Sequence, residues 1–290
     1  MSGARRATPD SPVRRNATAS VPRPALPPTP DLARRLGRSP LVVALDIDGT
    51  LAPLAPTPGA AIIPVETRAL LTALGQRRDV HVAFVTGRAA PDGRRLADVP
   101  NSWVIGNHGM ELIDPSGAIR VNLEVEPYSR RVARALAALR VEIGDIPGVV
   151  LEDKLWTLSV HYRLVDREAL PELTRVVTRI AETQRLRLTR GKEVLEMRPH
   201  VDVNKGTATL ALAKTLGFGT ATTTEGSLFY AGDDLTDEDA FRLLRERAQD
   251  AVTVHVGPPV TEGGSETAAE LLVGDTAEMT RLLEWLVSIR

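Results

Sequence analysis

The sequence contains no cysteine among its 290 residues. Without thiols the chain cannot form disulfide bonds, use thiolate catalysis or hold zinc or iron–sulfur centres through cysteine. Lysine is also scarce, because only four of the 36 basic residues are lysines. Three of those four, Lys154, Lys192 and Lys205, lie in the motifs described below, and this distribution supports them as candidate site residues.

A strong excess of charge of either sign is absent as well. The formal net charge is −1 at pH 7, so the chain as a whole does not attract nucleic acid or an anionic membrane, and a local site must hold any ligand. No apolar run approaches the ~18 residues that a membrane span needs, and none follows the N-terminal arginines as in a signal peptide. We therefore expect a soluble, cytoplasmic protein that binds neither nucleic acid nor membranes.

The N-terminal segment, residues 1–37, has almost no large apolar residues, and seven prolines fall in its first thirty positions. Such a segment buries too little apolar surface to offset its chain entropy, which predicts disorder. Its arginines and serines also resemble those of a transit peptide. The prolines disfavour that alternative, because they would break the amphipathic helix that transit peptides form.

From residue 41 onward, short apolar runs alternate with longer amphipathic segments. The runs "LVVALDI", "VHVAFVT", "SWVIGN" and "SLFYAGDD" indicate strands that are buried on both faces, and the alternation predicts an α/β fold with a doubly wound parallel sheet. Residues 120–200 differ, because helical stretches there lead into alternating strand pairs. We therefore predict a core of residues 38–119 and 201–290, interrupted by an α+β cap of residues 120–200 near the carboxyl ends of the strands.

Polar residues follow four of the predicted strands: Asp46 and Asp48, then 86–88, then 107–109, then 232–234. Because a parallel sheet brings these strand ends to one edge, the aspartates would repel one another unless a cation is bound. An oxygen-only cluster favours a hard cation such as Mg²⁺. Lys205, at the start of a predicted helix, adds a positive charge near an anion-favouring helix N-terminus. Together these groups suit phosphoryl transfer.

The same residues carry a resemblance to a known family. The segments "DIDGTL" (46–51), "TGR" (86–88), "NKG" (204–206) and "GDDLTDEDAF" (232–241) resemble the four ordered motifs of the haloacid dehalogenase superfamily. The segments "GNHGMEL" (106–112), "VHYR" (160–163) and "GKEVLEMRP" (191–199) resemble those of the trehalose-6-phosphate phosphatases. The resemblance covers about 41–290 and implies a haloacid dehalogenase-like core with a substrate-specificity cap.

The resemblance also implies roles for residues of the core. Asp46 would be the nucleophile that forms an aspartyl-phosphate, and Asp48 would be the general acid and base. The groups implied to hold the phosphoryl group are Thr86, Gly87 and Lys205. Those implied to bind Mg²⁺ are Asp46, the backbone carbonyl of Asp48 and Asp233, with Arg88, Asp234 and Asp237 in support.

The resemblance implies that the cap binds the sugar part of the substrate. Its implied trehalose contacts are Glu152, Lys154, Arg163, Lys192 and Glu196, and Asn107 and His108 of the core are further candidates. Strand parity raises a question, because Thr157, Ser159, His161 and Arg163 share one face of a strand. On an unbroken strand Lys154 would point away from Arg163, so either a turn or bulge lies near 153–155 or one of the two is not a ligand.

For each of three side chains the sequence leaves two alternative roles open. Arg88 could pair with the acidic loop or contact phosphate. His108 could form a polar pocket wall or order its loop by a hydrogen bond. Arg198 could contact the site or simply pair with Glu196, since the two share a strand face.

The resemblance implies an Mg²⁺-dependent phosphatase that releases trehalose from trehalose 6-phosphate. We expect a monomer, with an association with the synthase that makes this substrate left open. One alternative keeps the chemistry and changes the substrate to sucrose, glucosylglycerol or mannosylglycerate phosphate. Another is a non-catalytic, phosphosugar-binding partner of the synthase, which the presence of both Asp46 and Asp48 disfavours.

Overall fold

The computed structural model describes residues 22–191, 193–219, 226–258 and 267–290. Within these ranges the strands are β1 (Arg23–Pro24), β2 (Leu41–Leu45), β3 (Val80–Val85), β4 (Trp103–Gly106), β5 (Glu111–Ile113), β6 (Ile119–Val121), β7 (Val150–Asp153), β8 (Leu158–His161), β9 (Arg187–Gly191), β10 (Val194–Arg198), β11 (Ser227–Gly232), β12 (Val252–Val256) and β13 (Leu271–Val273). The α-helices are α1 (Pro30–Leu36), α2 (Val65–Gly75), α3 (Ala90–Ala97), α4 (Ser129–Glu142), α5 (Leu170–Thr183), α6 (Lys205–Thr215), α7 (Leu235–Arg247) and α8 (Thr276–Ser288). None of these helices is both long enough and apolar enough to cross a membrane.

The large sheet has the strand order β1-β13-β12-β11-β2-β3-β4-β5-β6. In this order, each pair of neighbouring strands from β1 at one edge to β4 runs parallel. Strands β5 and β6 add an antiparallel hairpin at the other edge. Helices α2 and α8 pack on one face while α6 and α7 pack on the other, so β2 and β11 are buried along their whole length. The predicted doubly wound parallel sheet is confirmed.

A second, four-stranded antiparallel sheet has the order β7-β8-β10-β9. Apolar side chains of β8 and β10 pack against α4 and α5, for example Leu158 and Met197 near Leu139 and Val177. We call this unit, residues 129–198, the insert. The predicted α+β composition is confirmed, whereas β6 still belongs to the large sheet and extends it to Val121, past the predicted boundary at residue 119.

The prediction of disorder for residues 1–37 is wrong for 22–37, and residues 1–21 lie outside the described residues. Strand β1 is the edge strand of the large sheet and pairs with β13; a proline is tolerated there because one side of an edge strand needs no hydrogen bonds. Thr29 caps α1 and Pro30 occupies its first turn, a position that suits proline. Leu32 and Leu36 are buried in the core, so two leucines and well-placed prolines anchor a segment of low overall hydrophobicity.

Candidate active site

The parallel register aligns the carboxyl ends of the central strands. Leu45 at the end of β2 lies beside Ala231 of β11 and Phe84 of β3. The backbone N–H of Asp46 continues the ladder by donating to the Ala231 carbonyl at 2.9 Å. Asp46 is therefore held in place by the centre of the sheet.

Lys205 forms the central ion pair of this edge. It is the first residue of α6, whose start is fixed by Asn204 and Thr207 in a reciprocal capping box. Its Nζ donates to Asp46 Oδ1 at 2.7 Å and to Asp237 Oδ1 at 2.9 Å. Burial lowers the pKa of Lys205, but Asp237 and Asp46 outweigh that effect and raise it well above its ordinary value, so the side chain is a fixed positive charge.

Asp237 organises the loop that follows β11. Its Oδ1 also accepts from the Tyr230 hydroxyl at 2.6 Å, and its Oδ2 accepts from the backbone N–H groups of Asp233 and Asp234 at 3.1 and 3.2 Å. Asp234 in turn caps α7 by accepting from the N–H of Asp237. These contacts occupy both oxygens of Asp237 and fix the loop that carries Asp233.

The site has the donor chemistry of a divalent cation site. Among the described residues, carboxylate oxygens of Asp46, Asp233 and Asp237 lie within 4.8 Å of one another. Burial raises the pKa of Asp46 well above its ordinary value, and Asp237 and Asp233 add to the rise while Lys205 opposes it. Three crowded acids beside one ammonium leave excess negative charge, which a hard cation would relieve.

Gly49 makes the close approach of two loops possible. Its φ is +91°, and a β-carbon at this position would lie 2.1 Å from Asp233 Oδ2. Only glycine therefore lets the loop after β2 pass this close to the carboxylate of Asp233.

Arg88 is paired with Asp48. Its Nε and Nη2 donate to the two oxygens of Asp48, each at 2.6 Å. The geometry is bidentate, and the Asp48 side chain is 34% exposed whereas that of Arg88 is 13% exposed. The reading in which Arg88 pairs with the acidic loop is the one that the structure shows.

The 86–88 loop lies next to this pair at the end of β3. The Thr86 N–H donates to the Ile105 carbonyl at 2.8 Å, and its hydroxyl accepts from the Arg88 N–H at 3.1 Å. A β-carbon on Gly87 would lie 2.5 Å from the His108 ring. The loop is thus packed directly against the segment that follows β4.

Lys154 of the insert reaches this loop. Its Nζ donates to the Gly87 carbonyl at 3.0 Å and to Glu196 Oε1 at 2.8 Å. The residues 154–157 form a turn between β7 and β8, in which Leu155 has a φ of +68°. The question raised by strand parity is answered by this turn, because it redirects Lys154 into the site independently of the β8 face.

Glu196 is the acidic centre of the insert's side of the site. It bonds Lys154 and Arg198, and its Oε2 lies 3.1 Å from His108 Nε2. Although burial raises the pKa of Glu196, the charges of Lys154 and Arg198 hold it well below its ordinary value. Arg198 therefore does pair with Glu196, and it also contacts the core at His108.

His108 is buried and neutral in this arrangement. Arg198 Nη2 lies 2.7 Å from His108 Nε2, and since a guanidinium can only donate, Nε2 is the acceptor. Burial, reinforced by the charge of Arg198, lowers the pKa of His108 to about 4. The ring lies against Gly87 and bonds the insert, so it joins the 86–88 loop to the insert.

Two other predicted sugar contacts, Glu152 and Arg163, have polar partners of their own. Glu152 Oε2 is 2.8 Å from His161 Nε2 and 4.0 Å from Lys154 Nζ. Arg163 donates to Glu193 at 2.7 Å and to the Ala55 carbonyl of the core at 3.0 Å. Lys192 lies outside the described residues.

Asn107, a further candidate substrate contact of the core, has a side-chain amide that is bonded to the insert through both its nitrogen and its oxygen. Its Nδ2 donates to the Lys154 carbonyl at 3.0 Å, and its Oδ1 accepts from the Thr157 hydroxyl at 2.8 Å. Sequence reasoning missed Thr157 as a partner and also missed Tyr230. The only available signal was the polar strand face shared by Thr157, Ser159 and His161.

Comparisons with known proteins identify a family that this chain resembles over most of its length. The model of the trehalose-phosphatase family matches residues 44–276. The chain is 34% identical over 261 residues to probable trehalose-phosphate phosphatase D of Arabidopsis thaliana, a match that covers 84% of this chain and 68% of that protein. It is 35% identical over 253 residues to a trehalose-phosphate phosphatase of Mycobacterium avium, covering 86% of this chain and 62% of that protein.

A solved structure described as a trehalose-6-phosphate phosphatase related protein is also similar. It has a TM-score of 0.72 and 26% sequence identity, and the match covers 86% of this chain and 97% of that one. The chain thus spans about two thirds of the length of the curated relatives and nearly the whole of this solved relative.

Proposed function

Because the chain belongs to the trehalose-phosphatase family, we propose that it hydrolyses trehalose 6-phosphate to trehalose and phosphate through an aspartyl-phosphate intermediate. The observation that carries the proposal is the joining of two sets of groups at one edge of the sheet. Asp46, bonded to Lys205, lies at the end of β2, and Lys154 of the insert reaches the adjacent Gly87 carbonyl. The proposed phosphoryl-transfer site and the proposed sugar-binding surface therefore adjoin.

Asp46 is the proposed nucleophile. Lys205 holds its Oδ1 at 2.7 Å, and attack on phosphorus would come from the other oxygen. The bond between phosphorus and the sugar oxygen then breaks, and the phosphoryl group is held on Asp46 until water displaces it. Because the aspartate is anchored in the most buried part of the sheet, it can hold an attacking geometry without further ordering.

Asp48 is the proposed general acid and base. It would protonate the leaving sugar oxygen in the first step and accept a proton from the attacking water in the second. Its carboxylate is bound at both oxygens by Arg88. The role therefore requires that Asp48 release Arg88 when substrate binds, and Arg88 would then be available to the phosphate.

The proposed Mg²⁺ ligands are Asp46, the backbone carbonyl of Asp48 and Asp233. When bound, Mg²⁺ would neutralise charge on the transferring phosphoryl group. Thr86, Gly87 and Lys205 are the proposed phosphoryl contacts, through a hydroxyl, a backbone N–H and an ammonium. Asp237 would keep Lys205 in place from its far side.

The insert is proposed as the main part of the predicted cap, residues 120–200, which would bind the sugar. Lys154 and Glu196 form a buried pair with hydrogen-bonding capacity toward hydroxyl groups, and Glu152 and Arg163 extend the polar surface. Lys192 belongs to the same proposal by family resemblance alone. Cytoplasmic location, a monomeric state and an association with the synthase stay predictions.

The proposal is tested by phosphate release across a panel of trehalose, sucrose, glucosylglycerol and glucose phosphates, each with Mg²⁺ and with EDTA. We expect trehalose 6-phosphate to give the highest kcat/KM and EDTA to abolish the activity. A comparable or higher kcat/KM for another sugar phosphate would contradict the substrate assignment, and full activity in EDTA would contradict the metal assignment.

A further inference from the structure

The turn 154–157, which carries Lys154, has a backbone conformation that its own residues do not favour. Leu155 has a φ of +68°, a left-handed conformation that is unfavourable for a residue with a bulky side chain. Its side chain is 57% exposed, so burial does little to offset the strain. Two backbone hydrogen bonds close the turn, from Lys154 N to Thr157 O at 3.1 Å and from Trp156 N to Lys154 O at 2.8 Å.

A residue of the core completes this turn from outside. Asn107 donates to the carbonyl of Lys154, the first residue of the turn, and accepts from the hydroxyl of Thr157, the last residue. Both Asn107 and Thr157 are fully buried. The amide therefore spans the turn at both ends, in a place where neither of its polar atoms can exchange its partner for water.

Asn107 is itself fixed to the 86–88 loop. Its backbone N–H donates to the Arg88 carbonyl at 2.7 Å, and the N–H of the next residue, His108, donates to the Thr86 carbonyl at 3.0 Å. Asn107 has a φ of +47°, which asparagine tolerates better than most residues. One side chain thus ties the position of the turn to the position of the loop that is proposed to bind phosphate.

The ammonium of Lys154 depends on this connection. It lies between the Gly87 carbonyl of the core and Glu196 of the insert, at 3.0 and 2.8 Å. A shift of the turn relative to the core would lengthen the first contact, because Lys154 is the residue whose carbonyl Asn107 holds.

We infer that Asn107 and Thr157 are positioning residues that template the turn 154–157 and so fix Lys154 between the phosphate-binding loop and the sugar. The inference rests on the proposed function, in which Lys154 contacts the sugar. It adds that recognition of the sugar by Lys154 requires the insert to be docked on Asn107, so that a sugar phosphate and a small aryl phosphate depend differently on this contact.

The first test replaces Thr157 by valine, which keeps the shape and removes the hydroxyl. The loss of one buried hydrogen bond, with Asn107 Oδ1 left unsatisfied, should lower kcat/KM for trehalose 6-phosphate by about 10- to 100-fold. With p-nitrophenyl phosphate, which makes no sugar contacts, the change should stay below about threefold. Thr157→Ser should restore most of the sugar-phosphate activity, because serine keeps the hydroxyl.

The matched control is Thr178→Val, which removes a half-buried hydroxyl of the insert that bonds within α5, to the Thr174 carbonyl at 2.8 Å. It should leave both substrates unchanged. Thermal unfolding of all variants identifies any loss that comes from reduced folding. Equal losses on both substrates for Thr157→Val, or no rescue by serine, would overturn the inference.

The second test repeats Thr157→Val and Asn107→Ala in a Lys154→Ala background. If both residues act through Lys154, each should cost less than about threefold on trehalose 6-phosphate there. Fully additive losses would overturn the inference while leaving the proposed function intact. If the wild type prefers another sugar phosphate, the proposed function fails and the same cycle on that ester decides the inference separately. If the wild type hydrolyses no sugar phosphate, both fail together.

Discussion

The burial of a neutral His108 predicts a specific loss of stability in acid. The pKa of His108 is lowered from 6.5 to about 4, chiefly by burial and then by the charge of Arg198. Below pH 6.5 the unfolded chain binds a proton that the folded protein does not bind until the pH falls to about 4, so acid favours unfolding. Between about pH 7.5 and pH 5 this linkage gives a loss of about 2 kcal/mol in the free energy of unfolding.

The groups that face His108 contribute in known directions. Arg198 and Lys205 disfavour its protonation, whereas Glu196 favours it.

Asp237 changes the stability with pH in the direction opposite to His108. Burial raises the pKa of Asp237 to about 7, so its contribution to stability is lost as the pH rises from about 4 to 7. A comparison with a variant is therefore needed to isolate the histidine.

His108→Asn is the suitable variant, because His108 has a φ of +56° and asparagine tolerates that backbone conformation. Urea unfolding of both proteins at about pH 7.5 and pH 5 measures the difference. We expect the wild type to lose about 2 kcal/mol more than the variant over this range. Parallel pH profiles for the two proteins would refute the assignment of His108 as a buried neutral group.

Three further changes test other contacts. Gly49→Ala should lower phosphate release by at least about 100-fold, because the new β-carbon would lie 2.1 Å from Asp233 Oδ2. Gly59→Ala, with open space around it, is the control, and equal losses for the two variants would contradict this steric explanation. Lys205→Met should destabilise the protein by about 3 kcal/mol at pH 8, and by less at pH 6, where the acids that lose their partner can take up protons. Urea unfolding measures this loss, and a loss that does not change with pH would contradict the role of Lys205 as the partner of these acids. Arg35→Ala should lower the free energy of unfolding by about 1–3 kcal/mol, because Arg35 binds Glu270 and the Ala251 carbonyl. Arg34→Ala, at an exposed position, should have little effect, and similar melting temperatures for the two variants would contradict this prediction.

The position of the acidic edge could be predicted from the sequence for a simple topological reason. Parallel strands bring their carboxyl ends together, so polar residues after separate apolar runs must meet. Asp46, Thr86 and Asp233 follow that rule, and the lysine at the start of α6 joins them because its helix begins at the same edge. Local pattern and global fold agree at these positions.

The contacts between the core and the insert could not be predicted in the same way. Asn107 and Thr157 are 50 residues apart in the sequence. The turn 154–157 contains no glycine, proline or asparagine from which a turn could be predicted. Its conformation depends on a partner from elsewhere in the chain, which a local pattern does not contain. The order of residues 22–37 is unpredictable for a related reason, because composition does not reveal that Pro24 and Pro30 lie where an N–H is not needed.

Steady-state phosphate release by Asp46→Asn at saturating trehalose 6-phosphate and Mg²⁺ tests the central claim most directly. Asparagine keeps the size of the side chain but removes the nucleophilic oxygen that the mechanism requires. We expect the rate to fall by at least about 1,000-fold, while calorimetry still detects binding of the sugar phosphate. Turnover within about tenfold of the wild type would contradict the assignment of Asp46 as the residue that takes up the phosphoryl group.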